Sequence, residues 1–297
     1  MPWCYPLMSN RDEKKMVSTH ESDPGAAPLE EETERESVER AARLSSKLIY
    51  EVIRRDGEEE LARSKRSLFW SGTAAGIMIS FSVLGEAILR TYLPDASWSF
   101  LIENFGYSLG FLLVIMCRMQ LFTENTITTV LPLMVLPTTH TFGCVARLWV
   151  VVLAANVLGA FCIATLFAYT PVIPEDLRPA LLSLSEHAVH MPADQSFFRA
   201  IPAGILVAAI VWMLPQASDS GFFTILTFTW LIAAGDFTHI VAGSVEMAYL
   251  GVQGLLGFSE ALFGFFIPVL AGNIVGGTAV FAMIAWGQVK DDVLEKQ

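Results

Sequence analysis

The sequence predicts an all-α, polytopic membrane protein: six transmembrane helices in an inverted 3+3 repeat, with the second and fifth helices broken. Three observations carry this. The 297 residues are 53% hydrophobic and only 16% charged, where a soluble domain carries nearer a quarter charged residues, and the mean hydropathy is +0.50. The apolar residues fall into blocks near the ~20 residues that cross a bilayer as a helix. The second and fifth blocks each stop at a polar knot and then resume.

Charge divides the chain. Runs such as EEETERESVERAAR crowd the start, so residues 1–66 read as an acidic cytoplasmic N-terminal region, partly disordered with one helix. In that helix Val38, Ala41, Ala42, Leu44, Leu48 and Ile49 recur near helical spacing. A solvated cytoplasmic helix is the expectation, and a helix that docks a partner is the other reading. Residues 67–290 read as the six-helix transmembrane domain and residues 291–297 as a cytoplasmic tail. The net charge of -11 excludes nucleic acid as a partner, because that role needs clustered Lys and Arg. Cys4, Cys117, Cys144 and Cys162 form no CxxC and no metal spacing, so neither a disulfide nor a zinc site is expected. The first residues, MPWCYPLMSNRDEKKM, have no apolar core before a small-residue cleavage site, and do not read as a secretory signal.

The first span is SLFWSGTAAGIMISFSVLGEAILRTYL from Ser67. The second starts near Phe100 and runs LIENFGYSLGFLLVIMC until Arg118. The third, RLWVVVLAANVLGAFCIATLFAY from Arg147, is uninterrupted. The fourth is FFRAIPAGILVAAIVWML from Phe197. The fifth, GFFTILTFTWLIAAG from Gly221, halts at Asp236 and His239, and the sixth is ALFGFFIPVLAGNIVGGTAVFAMIAWGQV from Ala261. The knots are RMQLFTEN and DFTH, followed by TITTVLPLMVL and IVAGSVEMAYLGV. The order is whole, broken, whole, whole, broken, whole. Halves of three spans must run in opposite directions, and paired interruptions mark a transporter or channel site. Lys65, Arg66, Arg147 and Lys290 outweigh Arg90, Arg178 and Arg199 across the membrane, which places both termini in the cytoplasm.

Backbone freed within a bilayer must be buried in protein or line a wet cavity. Ionisable groups at that depth each cost about 2.5–3.5 kcal/mol against lipid. Arg118, Glu124, Asp236 and Glu246 are therefore expected to face inward as an intramembrane charge network. Thr123 is placed to cap the second half-helix, with Glu124 and Asn125 at its positive end; a purely structural helix start is the competing reading. His239 reads either as a hydrogen-bonded core residue or as a group that exchanges a proton near neutrality. A weak acid crosses an apolar constriction more cheaply neutral than charged, and a central His can supply that proton or its partial charge.

RMQLFTEN and AAGDFTHIVAGSVEM resemble the formate/nitrite transporter family, nearest to its YfdC-type inner-membrane branch, over about residues 67–290. The resemblance implies an aquaporin-like homopentamer with one pore per protomer for small monovalent anions or their acids, in the bacterial inner membrane. It puts the pore histidine at His239 and the loop threonine facing it at Thr123. Leu121 and Phe111 fall at the apolar constriction, and Phe122, Phe237 and Thr238 lie in the matching motifs of the solute path. The chain departs from the family pattern at Gln120 and Glu124, at Thr238 before the histidine, at Gly243 four residues after it, and at Gly204 in the fourth span. The lysine expected in the outer loop has no counterpart; His187, His190 and Arg199 are the nearby basic groups.

The expected function is a channel or proton-coupled transporter for a small monovalent anion or its weak acid. A neutral-solute channel is one alternative. A non-conducting membrane protein that recruits a partner through its acidic N-terminal region is another. No HExxH, GxSxG, Walker loop or paired-Cys motif appears, so no enzyme, cofactor or metal is expected.

Overall fold

The structure is a computed structural model describing residues 44–217 and 219–294. Among the described residues every regular element is helical. Lys65–Tyr92, Ser99–Met116, Thr139–Tyr169, Ala193–Gln216 and Glu260–Asp291 are long and apolar enough to cross a membrane. The fifth block is instead two shorter apolar helices, Gly221–Ala234 and Ile240–Val252. The sixth span is wound as π-helix over Glu260–Phe266 and Val275–Ala282.

Before the first span lies a helix at Ser46–Ala62, capped by Ser45, whose side chain accepts from Leu48 N–H. The other residues expected in this helix, Val38, Ala41 and Ala42, lie outside the described residues. The helix is not solvated. Ile49, Tyr50, Ile53, Gly57 and Leu61 form a buried face. Tyr50 donates its hydroxyl to Leu131 O at 3.2 Å and packs on Trp286, ring centroids 5.4 Å apart. Its polar side is laced by Arg54 with Glu51 and Glu58. The Arg54 guanidinium holds the Glu51 carboxyl below the usual carboxylate range. The reason for docking is contact at close range: a Cβ on Gly57 would sit 2.0 Å from Thr128 O. Gly57→Val is therefore expected to cost about 1–3 kcal/mol and to undock the helix. Mass spectrometry should then find faster tryptic cleavage after Arg54 and Arg55 in vesicles; wild-type protection would remove this packing account.

The two interrupted blocks are built alike. The second runs Ser108–Met116, then Phe122–Thr128 continuing as Val130–Val135; we call these half-helices 2a and 2b. Gly221–Ala234 and Ile240–Val252 are 5a and 5b. Arg118 (φ 52°) and Asp236 (φ 53°) are the non-glycine residues with positive φ among the described residues, and each ends its half-helix. Arg118 N–H donates to Ile115 O and Met119 N–H to Val114 O. Asp236 N–H donates to Ala233 O and Phe237 N–H to Ile232 O. This is the left-handed helix stop, made twice by residues that pay a steric cost for it.

Each break is then braced by a fully buried asparagine from the last span of its half. Asn156 Nδ2 donates to Gly72 O and Gln120 O, both at 2.8 Å, and its Oδ1 accepts from Phe122 N–H at 2.9 Å. Asn273 Nδ2 donates to Ala200 O at 2.8 Å and Thr238 O at 3.0 Å, and its Oδ1 accepts from Ile240 N–H at 2.8 Å. The first amide of 2b and of 5b is thus satisfied by a neighbouring span. Close helix crossings permit it. A Cβ on Gly76 would meet Asn156 O at 2.0 Å, and one on Gly204 would meet Asn273 O at 2.4 Å. Gly204, a departure from the family pattern, is required here by that approach.

Candidate transport site

The polar loops of the two breaks meet. Thr123 Oγ1 lies 2.8 Å from His239 Nε2, with Thr123 fully buried and His239 2% exposed. His239 has extended backbone and caps 5b, its side chain accepting from Ala242 N–H at Nδ1, 3.3 Å away. A nitrogen that accepts this bond carries no hydrogen, so the neutral ring holds its proton on Nε2 and donates it to Thr123 Oγ1. The Thr123 hydroxyl hydrogen is then free to point at a solute.

Thr123 does not cap 2b, against the sequence expectation. The half-helix starts at Phe122, so the cap position is Leu121, which makes no side-chain cap bond; Asn156 does that work instead. The amides of Phe122, Ile240 and Ala242 are all bonded to side chains and are not available to a solute.

Apolar groups close around this pair. The Phe111 ring meets the imidazole edge-to-face at 5.0 Å, and Tyr107 backs Phe111 at 5.3 Å. Phe111 and Leu121 are fully buried. Phe122 packs on Trp149, ring centroids 5.7 Å apart. Thr238 turns its hydroxyl to Ser196 O at 2.8 Å. Gly243 has no side chain because Phe265 fills that space, a Cβ there falling 2.3 Å from the ring.

A cavity of about 70 Å³ reaches His239. Phe237, Thr238, Asp236 and Glu246 line it, and so do Glu86, Asn104 and Tyr107, which sequence reasoning did not single out. Glu86 is the lone acid in VLGEAIL of the first span, and that isolation was the available signal.

The four charges expected to form one network do not. Arg118 is 82% exposed and faces Asp56 of the Ser46–Ala62 helix at 3.8 Å. Asp236 pairs with Arg199 and with His187 at 2.9 Å. Glu246 lines the cavity, and Glu124 has a buried carboxylate oxygen without a hydrogen-bond partner. The inward-facing expectation fails for Arg118, which faces out of the membrane-spanning part toward Asp56, and it says nothing of which element each of the other groups meets. Cys117 and Cys162 are free. Among the described residues no group of three or more His, Cys, Asp or Glu gathers as a metal site.

The fold that carries this contact has known counterparts. The chain is 45% identical over 249 residues to the inner membrane protein YfdC of Escherichia coli, covering 84% of this chain and 80% of the relative. It is 27% identical to the formate channel FocA of Haemophilus influenzae, over 79% of this chain and 93% of that one. A solved pentameric formate channel with formate bound superposes with a TM-score of 0.65 at 21% identity, covering 76% of this chain and 97% of that chain. An FNT family ion channel gives a TM-score of 0.70 at 17% identity, over 81% and 98% of the two chains. The formate/nitrite transporter family model matches residues 47–287, so the match begins inside the docked N-terminal helix and not at residue 67. The chain belongs to the formate/nitrite transporter family, and it is a multi-pass membrane protein of that kind.

Proposed function

We propose that this protein is a channel or proton-coupled transporter for a small monovalent anion moved as its weak acid, of formate or nitrite size. The contact of Thr123 with His239 at 2.8 Å, at the junction of two broken helices, is the observation that supports it most. His239 Nε2–H polarises the Thr123 hydroxyl, and that hydroxyl donates to an oxygen of the passing solute. Phe111 and Leu121 keep water from following, so the solute is cheapest to pass when its charge is neutralised. A second proton on His239 would displace Ala242 N–H from Nδ1, so the ring acts here as a fixed donor of partial charge.

The same reading has both termini in the cytoplasm, with Lys65, Arg66 and Lys290 on that side, and five protomers assembled in the inner membrane. The solved pentameric relative and the large apolar side chains exposed along the spans, such as Val150 and Phe142, support assembly. Residues 1–66 then form the cytoplasmic N-terminal region and residues 291–297 the cytoplasmic tail.

The test is uptake by proteoliposomes of labelled formate, nitrite and acetate, with glycerol as the neutral control. Acid uptake should exceed that of empty vesicles and of glycerol. Thr123→Val keeps the shape and removes the hydroxyl, and should slow acid uptake by about tenfold, the equivalent of one lost hydrogen bond of about 1.4 kcal/mol. Glycerol entering as fast as formate would replace this reading with a neutral-solute channel.

A further inference from the structure

The cavity beside His239 is acidic in a way that passage of a bare anion does not explain. Glu86 and Glu246 both line it, and neither carboxylate has a hydrogen-bond partner or an ion pair. Tyr107 lines it too; it is 8% exposed, and its hydroxyl likewise makes no hydrogen bond. Asn104, 2% exposed, donates its amide to Phe100 O and lines the same space. The Tyr107 hydroxyl opens onto the cavity rather than being sealed in the core. Such a hydroxyl beside two unpaired carboxyls forms a site that a polar guest would complete. The volume, about 70 Å³, is several times the ~10–15 Å³ that one water needs.

Arg90 is the cation that acts on both Glu86 and Glu246, and it is shared with a third acid. Arg90 is engaged by Glu103 at 2.8 Å. Arg199 and His187 are both engaged by Asp236. His190 and Glu260, on the adjoining elements, face each other at 3.6 Å. His239 is committed to Thr123 and Ala242. With Glu86 and Glu246 ionised, a monovalent anion entering a space this small meets two like charges with only the shared Arg90 to offset them.

We propose that Glu86 and Glu246, with Tyr107, form the proton-loading site of the transport path, where a small monocarboxylate is bound and leaves as its neutral acid. The inference rests on the proposed transport reading and names the proton donor that reading requires. The anion enters when the pair carries a proton. The O–H bond of the carboxyl breaks as an O–H bond forms on the bound anion, leaving a carboxylate on the protein and a neutral acid in the cavity. Tyr107 donates its hydroxyl to the carboxylate so formed. The neutral acid moves on past Phe111 to Thr123 and His239, and the carboxylate is reprotonated from water at the cavity mouth. His239 is thereby relieved of a role its hydrogen bonds oppose, that of accepting a second proton.

The experiment measures labelled formate flux and membrane current in the same reconstituted bilayers of full-length protein. Wild-type flux should be electroneutral, with no current following a formate gradient, and should rise as the outside is acidified. Glu86→Gln/Glu246→Gln, nearly isosteric, gives the anion no proton, so formate flux should be lost together with its response to acid, because Phe111 and Leu121 still oppose a bare anion. Glu246→Asp should keep the electroneutral behaviour of the wild type. A wild-type current carried by formate would overturn the proposal without any variant being needed. So would a Gln double variant that is folded by size-exclusion profile and unchanged in both readouts. Absence of wild-type formate, nitrite and acetate uptake would instead overturn the transport reading itself, and this proposal with it.

Discussion

Asn273→Leu is expected to lower stability by about 3 kcal/mol or more and to abolish transport. The side chain is fully buried and makes three hydrogen bonds, to Ala200 O, Thr238 O and Ile240 N–H. Leucine fills the volume and satisfies none of them. Ile240 N–H and Thr238 O sit in the break and have no helical partner to fall back on, and each orphaned group costs about 1–3 kcal/mol. The break would then close or shift, carrying His239 away from Thr123. Asn156→Leu should cost the same within about 1 kcal/mol, because its three bonds repeat those of Asn273 in type and length. Thermal unfolding in detergent, followed by tryptophan fluorescence, measures both. A large loss for one asparagine and none for the other would mean that the matching of the two halves is geometric only and carries no energy.

These braces show where sequence reading stops. Asn156 sits in a span that is otherwise an uninterrupted apolar run, and Asn273 in another, so neither marks a break of its own. What could have revealed them is their repetition: Asn-Val-Leu-Gly at Asn156 and Asn-Ile-Val-Gly at Asn273 occupy the same place in the last span of each half. The breaks themselves were legible, because Arg118, Asp236 and His239 are too polar to continue an apolar helix against lipid. The contact of Thr123 with His239 was not legible from spacing, since 116 residues separate them; it came from family likeness. The N-terminal helix was legible as a helix, but its docking depends on Leu131, Thr128 and Trp286, all distant in the chain. Charges failed in the same way. Depth in a membrane says that an ionised side chain must be satisfied, and only the fold says that Arg118 meets Asp56 while Asp236 meets Arg199.

His239→Phe should reduce uptake of the transported acid by roughly 10–100-fold. The substitution keeps an aromatic ring against Phe111 but removes both ring nitrogens, and with them two separate interactions. Losing the Nε2–H leaves Thr123 Oγ1 without its donor in a site from which apolar walls exclude water. A lost hydrogen bond of about 1–3 kcal/mol at a barrier translates into that range of rate. Losing Nδ1 uncaps 5b, worth about 1 kcal/mol of stability. A second variant separates the two. Asparagine is among the strongest N-cap residues, but its side chain is too short to hold an N–H where Nε2 stands. His239→Asn should therefore recover the unfolding temperature of the wild type without recovering flux. Stopped-flow acid uptake and thermal unfolding on the same preparations decide it. If flux returned together with stability in the asparagine variant, His239 would be a helix cap and nothing more, and the solute would have to be sought elsewhere than at Thr123.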